Sequence, residues 1–147
     1  MAKVEKSVLV HFTASSMYNL VRDVPKYPEF LPWCGGATLQ PLSAIQEKAS
    51  VTIAFKGVKQ QFTTLNQLTP NQVIAMSLVD GPFKKLQGRW VFQSLNAQSC
   101  KVSFELEYEF SNFILSKLVG PIFNTIAKTF VDHFIKRAQD LHQKGLL

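Results

Sequence analysis

The chain has 147 residues, 46% of them hydrophobic, with twelve phenylalanines and a net charge of +6. Those values describe a single domain, residues 1–147, with a core of its own, and exclude a disordered or disulfide-stapled scaffold. No run of about 18 apolar residues occurs, which excludes a membrane-spanning helix. The charges scattered through MAKVEKSVLVHF leave no apolar stretch for a secretory signal, so a cytoplasmic protein is expected.

The first segment alternates as a strand does, with Val4, Lys6, Val8, Val10 and Phe12 on one face. Thr13 or Ser15 then caps a short helix, ASSMYNLVRDV, whose Met17, Leu20, Val21 and Val24 follow helical spacing. Pro25 ends it, because the residue before a proline is pushed out of the α region. The stretch that follows, YPEFLPWCGG, carries Tyr27, Phe30, Leu31 and Trp33 among two prolines and two glycines. Such a segment is a rigid connector, not a long helix or a regular strand, and its aromatics either plug a core or form a lip.

From Trp33 to Phe110 the pattern becomes an antiparallel meander, with strands expected near 37–44, 47–57, 58–69, 72–80, 86–95 and 99–110. The intervening turns are PLSAIQ, KGVK, LTPNQ, DGPFKK and LNAQS. In the last strand Val102, Phe104, Leu106, Tyr108 and Phe110 point one way, while Glu105, Glu107 and Glu109 point towards solvent. Inward faces are expected to carry Val51, Ile53, Phe55, Phe62, Met76, Leu78, Trp90 and Phe92 as well. After Ser111-Asn112 comes a helix of about 25–30 residues with an i, i+3, i+4 apolar stripe that includes Leu118, Ile122, Phe123, Ile126 and Phe130. Gly120-Pro121 should kink or divide it. Seven strands with one apolar face and one striped helix pack as an α+β helix-grip fold, a curved antiparallel sheet wrapped around the C-terminal helix. The space between them is a natural apolar pocket.

Residue chemistry points away from catalysis. His11, His133 and His142 match no metal spacing and have no evident nucleophile or base partner. Cys34 and Cys100 lie far apart and are read as reduced, structural thiols. No Gly-rich phosphate loop occurs. A binding protein requiring no cofactor and no metal is the expectation.

YPEFLPWC, DGPFKKLQGRWVF, FELEYEFSN and FVDHFIKRA, in that order, resemble the coenzyme Q-binding branch of the START-like (polyketide cyclase/dehydrase and lipid transport) superfamily. The resemblance covers nearly the whole chain and implies the helix-grip fold reached above. It also implies two activities: mitochondrial members bind ubiquinone, and bacterial members are described as toxins that bind the large ribosomal subunit and block subunit association. Carried over by motif, the positions of interest are Tyr27 to Trp33, Gly81 to Phe83 and Trp90, with Lys84 and Lys85 as a basic pair.

The first expectation is therefore non-enzymatic binding of an isoprenoid quinone, ubiquinone or a similar lipid, in a long slot between sheet and helix. Tyr27–Trp33 and Gly81–Lys85 would flank its mouth, and Tyr27 or a lysine would donate to the quinone. Phe62, Met76, Phe83, Trp90, Phe104, Leu118, Ile122, Phe123, Ile126 and Phe130 would line it with the connector aromatics. Lys84, Lys85, Lys136 and Arg137 would form a basic surface for lipid headgroups, in peripheral contact with a membrane, or for RNA. The alternative is the ribosome-directed toxin, and a third reading is a cyclase- or dehydratase-like enzyme.

Overall fold

The computed structural model describes all 147 residues. Strand β1 (Ala2–Val10) is followed by helix α1 (Ala14–Arg22) and a 3₁₀ segment (Val24–Glu29). Strands β2 (Cys34–Pro41), β3 (Gln46–Phe55), β4 (Val58–Thr69), β5 (Val73–Asp80), β6 (Phe83–Asn96) and β7 (Ser99–Phe110) then lead into helix α2 (Phe113–Gln143). All seven strands form one antiparallel sheet in the order β1-β7-β6-β5-β4-β3-β2. Consecutive strands from β2 to β7 are neighbours, and β1 closes against β7, pairing Ala2 with Tyr108 and Val10 with Cys100. The concave face carries the core, and α2 lies against it with Val119, Phe123, Ile126, Val131, Phe134 and Ala138 buried.

Local chemistry explains the boundaries. Thr13 caps α1 by accepting from the Ser16 N–H, and Asn112 caps α2 by accepting from the Leu115 N–H. The β3–β4 hairpin turns on Lys56 and Gly57, both at positive φ, the two-residue turn whose twist suits the flanking strands. Asn71, also at positive φ, turns β4 into β5.

Four expectations are corrected. Strand β2 begins at Cys34, three residues early, because a bulge at Cys34/Gly36 lets the connector run straight into the ladder with β3. Strand β6 begins at Phe83, so Lys84 and Lys85 lie within a strand, where a second bulge displaces Lys84 from the register. Phe55 is 37% exposed, not inward, because β3 ends there at the hairpin tip and the ring instead meets the Lys56 ammonium. Helix α2 is continuous through Pro121 and is not divided. The lost backbone donor falls in its third turn, near the exposed N-terminal end, where Phe113, Ile114 and Leu118 all face outward.

Candidate functional site

An apolar cavity, partly open to solvent, lies between the sheet and α2. The connector contributes Val24, Tyr27 and Trp33, the sheet Phe62, Met76, Trp90 and Phe104, and the helix Phe123, Ile126 and Phe130. Its volume is about 70 Å³, roughly half of the ~150 Å³ that accommodates a benzene ring. The long slot expected for a prenyl tail is therefore closed. Aromatic rings close it: Phe130 packs against Trp33, Trp90 and Phe104 at centroid distances of 6.0, 5.6 and 5.5 Å. Phe123 packs against Phe62 at 6.1 Å. Phe62, Met76 and Phe130 are only half-buried, so the wall contains planar or unbranched side chains able to turn aside.

The structure brings nine of the expected residues to this cavity: Tyr27, Trp33, Phe62, Met76, Trp90, Phe104, Phe123, Ile126 and Phe130. Five lie elsewhere. Leu118 is 65% exposed, on the outward face of α2 beside the buried Val119. Ile122 is half-buried at the flank of the helix stripe, packed on the core but off the cavity. Leu31 is fully buried beneath the connector. Phe83 stacks on Phe110 at 4.9 Å in an aromatic cluster with Phe62 and Phe123. Phe30 packs on Tyr27 and Phe134.

Tyr27 and Trp33 are not at a mouth. The 3₁₀ segment carries Tyr27, a separate turn in which the Cys34 N–H donates to the Leu31 carbonyl carries Trp33, and both residues are buried. The Tyr27 hydroxyl donates to the Val21 carbonyl, and burial pushes its pKa far up, so this proton is already committed. Trp33 differs. Its backbone carbonyl accepts from the Ala54 N–H at 2.8 Å, which fixes the residue, and its side chain is 5% exposed. The enclosed indole Nε1 has no acceptor, an omission worth about 1–3 kcal/mol.

Two polar wall residues were absent from the expected set. Thr64 and Asn66 are buried on the concave face of β4, and Thr64 Oγ1 donates to Asn66 Oδ1 at 2.8 Å. That bond occupies the carbonyl end of Asn66 and leaves its two amide N–H to donate. The signal was present in the alternation of Phe62, Thr64, Asn66 and Leu68, since the outer two are apolar and set the inward parity of the inner two.

The four basic residues differ in setting. Lys84, Lys85 and Lys136 are exposed. Arg137, expected on the same surface, is instead a strut: its guanidinium donates to Glu29 at 3.0 Å and lies 5.1 Å from the Phe30 ring centroid. It ties the 3₁₀ segment to α2, and its Nε is buried. Cys34 and Cys100 are both buried, and burial raises each thiol's pKa.

Residues 10–135 match the family model described as polyketide cyclase / dehydrase and lipid transport. The chain belongs to that family. Within it, the chain is 46% identical to the ribosome association toxin RatA of Vibrio cholerae, over 97% of this chain and 99% of the relative. The coenzyme Q-binding protein COQ10 homolog B of Xenopus laevis is 26% identical, over 90% of this chain and 56% of that protein. Among solved structures, the ZhuI aromatase/cyclase of Streptomyces sp. R1128 shares the fold at a TM-score of 0.78 with 16% identity, covering 95% of this chain and 94% of that one. The helix-grip architecture of the polyketide cyclase/dehydrase and lipid transport family thus serves proteins named as toxins, lipid binders and enzymes. No helix here is long and apolar enough to cross a membrane.

Proposed function

We propose that this protein is a ribosome-directed growth inhibitor, acting in the cytoplasm by binding the large ribosomal subunit and impeding subunit association. End-to-end similarity to the Vibrio cholerae toxin carries this reading, at 46% identity over 97% of the chain. A net charge of +6 and the exposed Lys84, Lys85 and Lys136 suit a partner made largely of RNA, whose phosphates supply a salt-sensitive attraction. The reading is non-enzymatic. The polar side chains around the cavity are Tyr27, Trp33, Thr64 and Asn66, none of which exchanges a proton readily near neutral pH. Co-sedimentation with purified large subunits tests it: the protein should pellet with them at moderate salt, and release as salt rises. Charge reversal at Lys84, Lys85 and Lys136 should weaken pelleting at least tenfold. An unchanged subunit profile on overexpression would overturn the reading.

The cavity favours a second role, binding an uncharged apolar molecule of the quinone type. A void walled by aromatic rings beside a buried N–H without an acceptor is a feature that packing alone does not call for. Solvent extraction of natively purified protein, followed by mass spectrometry, should recover a stoichiometric neutral lipid; repeated extraction of none would remove this role and leave the first intact.

A further inference from the structure

Apart from the Tyr27 hydroxyl, committed to the Val21 carbonyl, the cavity wall is polar at Trp33 and at the Thr64–Asn66 pair, and both places supply donors. Trp33 Nε1 is enclosed without an acceptor. Asn66, 7% exposed, has its carbonyl engaged by Thr64 and its amide N–H free. No Lys, Arg or His lines the space, so nothing there neutralises an anion. Burying a carboxylate against this wall would leave an unpaired charge in an apolar medium. Burying a pure hydrocarbon would leave both donors unpaired.

From this we propose that Trp33 and Asn66 form a hydrogen-bond-donor pole that selects an uncharged, ring-sized molecule carrying a carbonyl-type acceptor, and rejects carboxylates. The inference rests on the second role above, occupancy of the cavity by a small apolar molecule. It adds which end of that molecule is recognised and by which atoms. Phe62, Met76 and Phe130 must turn aside to admit a ring, because the present volume is smaller than one. Thr64 is a positioning residue: by donating to Asn66 Oδ1 it holds the amide with its nitrogen available.

Three probes that differ only at the polar end separate the possibilities: acetophenone, with a neutral carbonyl; ethylbenzene, with none; and benzoate, with a charge. Titrations of the whole chain followed by NMR should show acetophenone, and not ethylbenzene, shifting the Trp33 indole N–H signal, which is assigned by its loss in Trp33→Phe. In Trp33→Phe the affinity for acetophenone should fall about three- to tenfold, the range expected for one hydrogen bond, while ethylbenzene binding stays within about twofold. Asn66→Leu should act in the same direction, and benzoate should bind more weakly than acetophenone. If ethylbenzene and acetophenone respond alike to Trp33→Phe, or benzoate binds as well as acetophenone, the pole is overturned while occupancy of the cavity stands. Failure of all three to bind would overturn occupancy and the pole together.

Discussion

Gly88 shows how little freedom single positions have in this sheet. It sits in β6 opposite Leu106, and a Cβ placed there would come within 2.5 Å of the Glu105 carbonyl oxygen and 2.9 Å of the Leu106 side chain. Since the first of these is backbone, the clash cannot be relieved by a rotamer change. Gly88→Ala should therefore cost about 3 kcal/mol, the upper range for overpacking, measured as a lowered urea midpoint with unchanged slope. A shift of less than about 0.5 kcal/mol would show that β6 and β7 separate more easily than their ladder suggests. Gly81 is constrained differently: φ is +148°, and a Cβ would meet that of Phe62 at 2.7 Å. The glycine of the DGPF motif is thus needed to let the β5–β6 turn pass over a cavity-wall ring. Trp33 and Asn66 mark the limit of reading single residues from sequence. The aromatic was visible among its prolines, but its orientation depended on the turn into β2 and on the Trp33 carbonyl's bond to the Ala54 N–H, while the amide was hidden by its ordinary surroundings in a polar-looking strand.

At the level of elements, the segment between α1 and β2 behaves as a wedge. Pro25 and Pro28 hold it in 3₁₀ form, and it places Tyr27 inside while Phe30 is clamped by Arg137 from α2. Phe134, fully buried, meets Tyr27, Phe30, Trp90 and Phe130 at centroid distances of 5.0–5.2 Å, joining the wedge to the sheet through the helix. The Arg137 hydrogen bond holds the Glu29 carboxyl below its ordinary value of 4.5, with Lys26 assisting and desolvation opposing. A carboxyl lowered in the folded state contributes stability above its unfolded value, and that contribution is lost as pH falls through the folded one. Wild-type protein should accordingly lose more melting temperature between pH 6 and pH 3 than Glu29→Gln does, with the variant slightly less stable at pH 7. Equal losses would mean that the strut contributes nothing to holding the wedge. Sequence alone made the prolines and aromatics of this segment legible as a rigid connector. It did not reveal the clamp, because Glu29 and Arg137 lie 108 positions apart and each has an ordinary local setting.

For the whole molecule, the helix-grip fold followed from the pattern of elements: seven alternating runs, one long stripe, and short connections that leave neighbouring strands adjacent. Strand β7 was the clearest, because its alternation is unbroken over twelve residues with every second one buried. Boundaries failed where bulges intervene, at Cys34/Gly36 and Phe83/Lys85, since a bulge depends on the partner strand and leaves no periodic trace. The size of the cavity was illegible for a related reason. The same apolar residues can line a slot or fill it, and only the packing of Phe123, Phe130 and their neighbours decides that the space is small.

The strand order also has a consequence in time. Strand β1, made first, finds its place only after β7 exists, since Ala2 pairs with Tyr108. Helix α2, which covers the concave face, is made after every strand and spans 31 residues. At roughly 5–20 residues per second, its synthesis takes on the order of 2–6 s. Throughout that interval the nascent sheet, if already paired, presents an uncovered wall of phenylalanine and tryptophan to whatever surrounds the emerging chain.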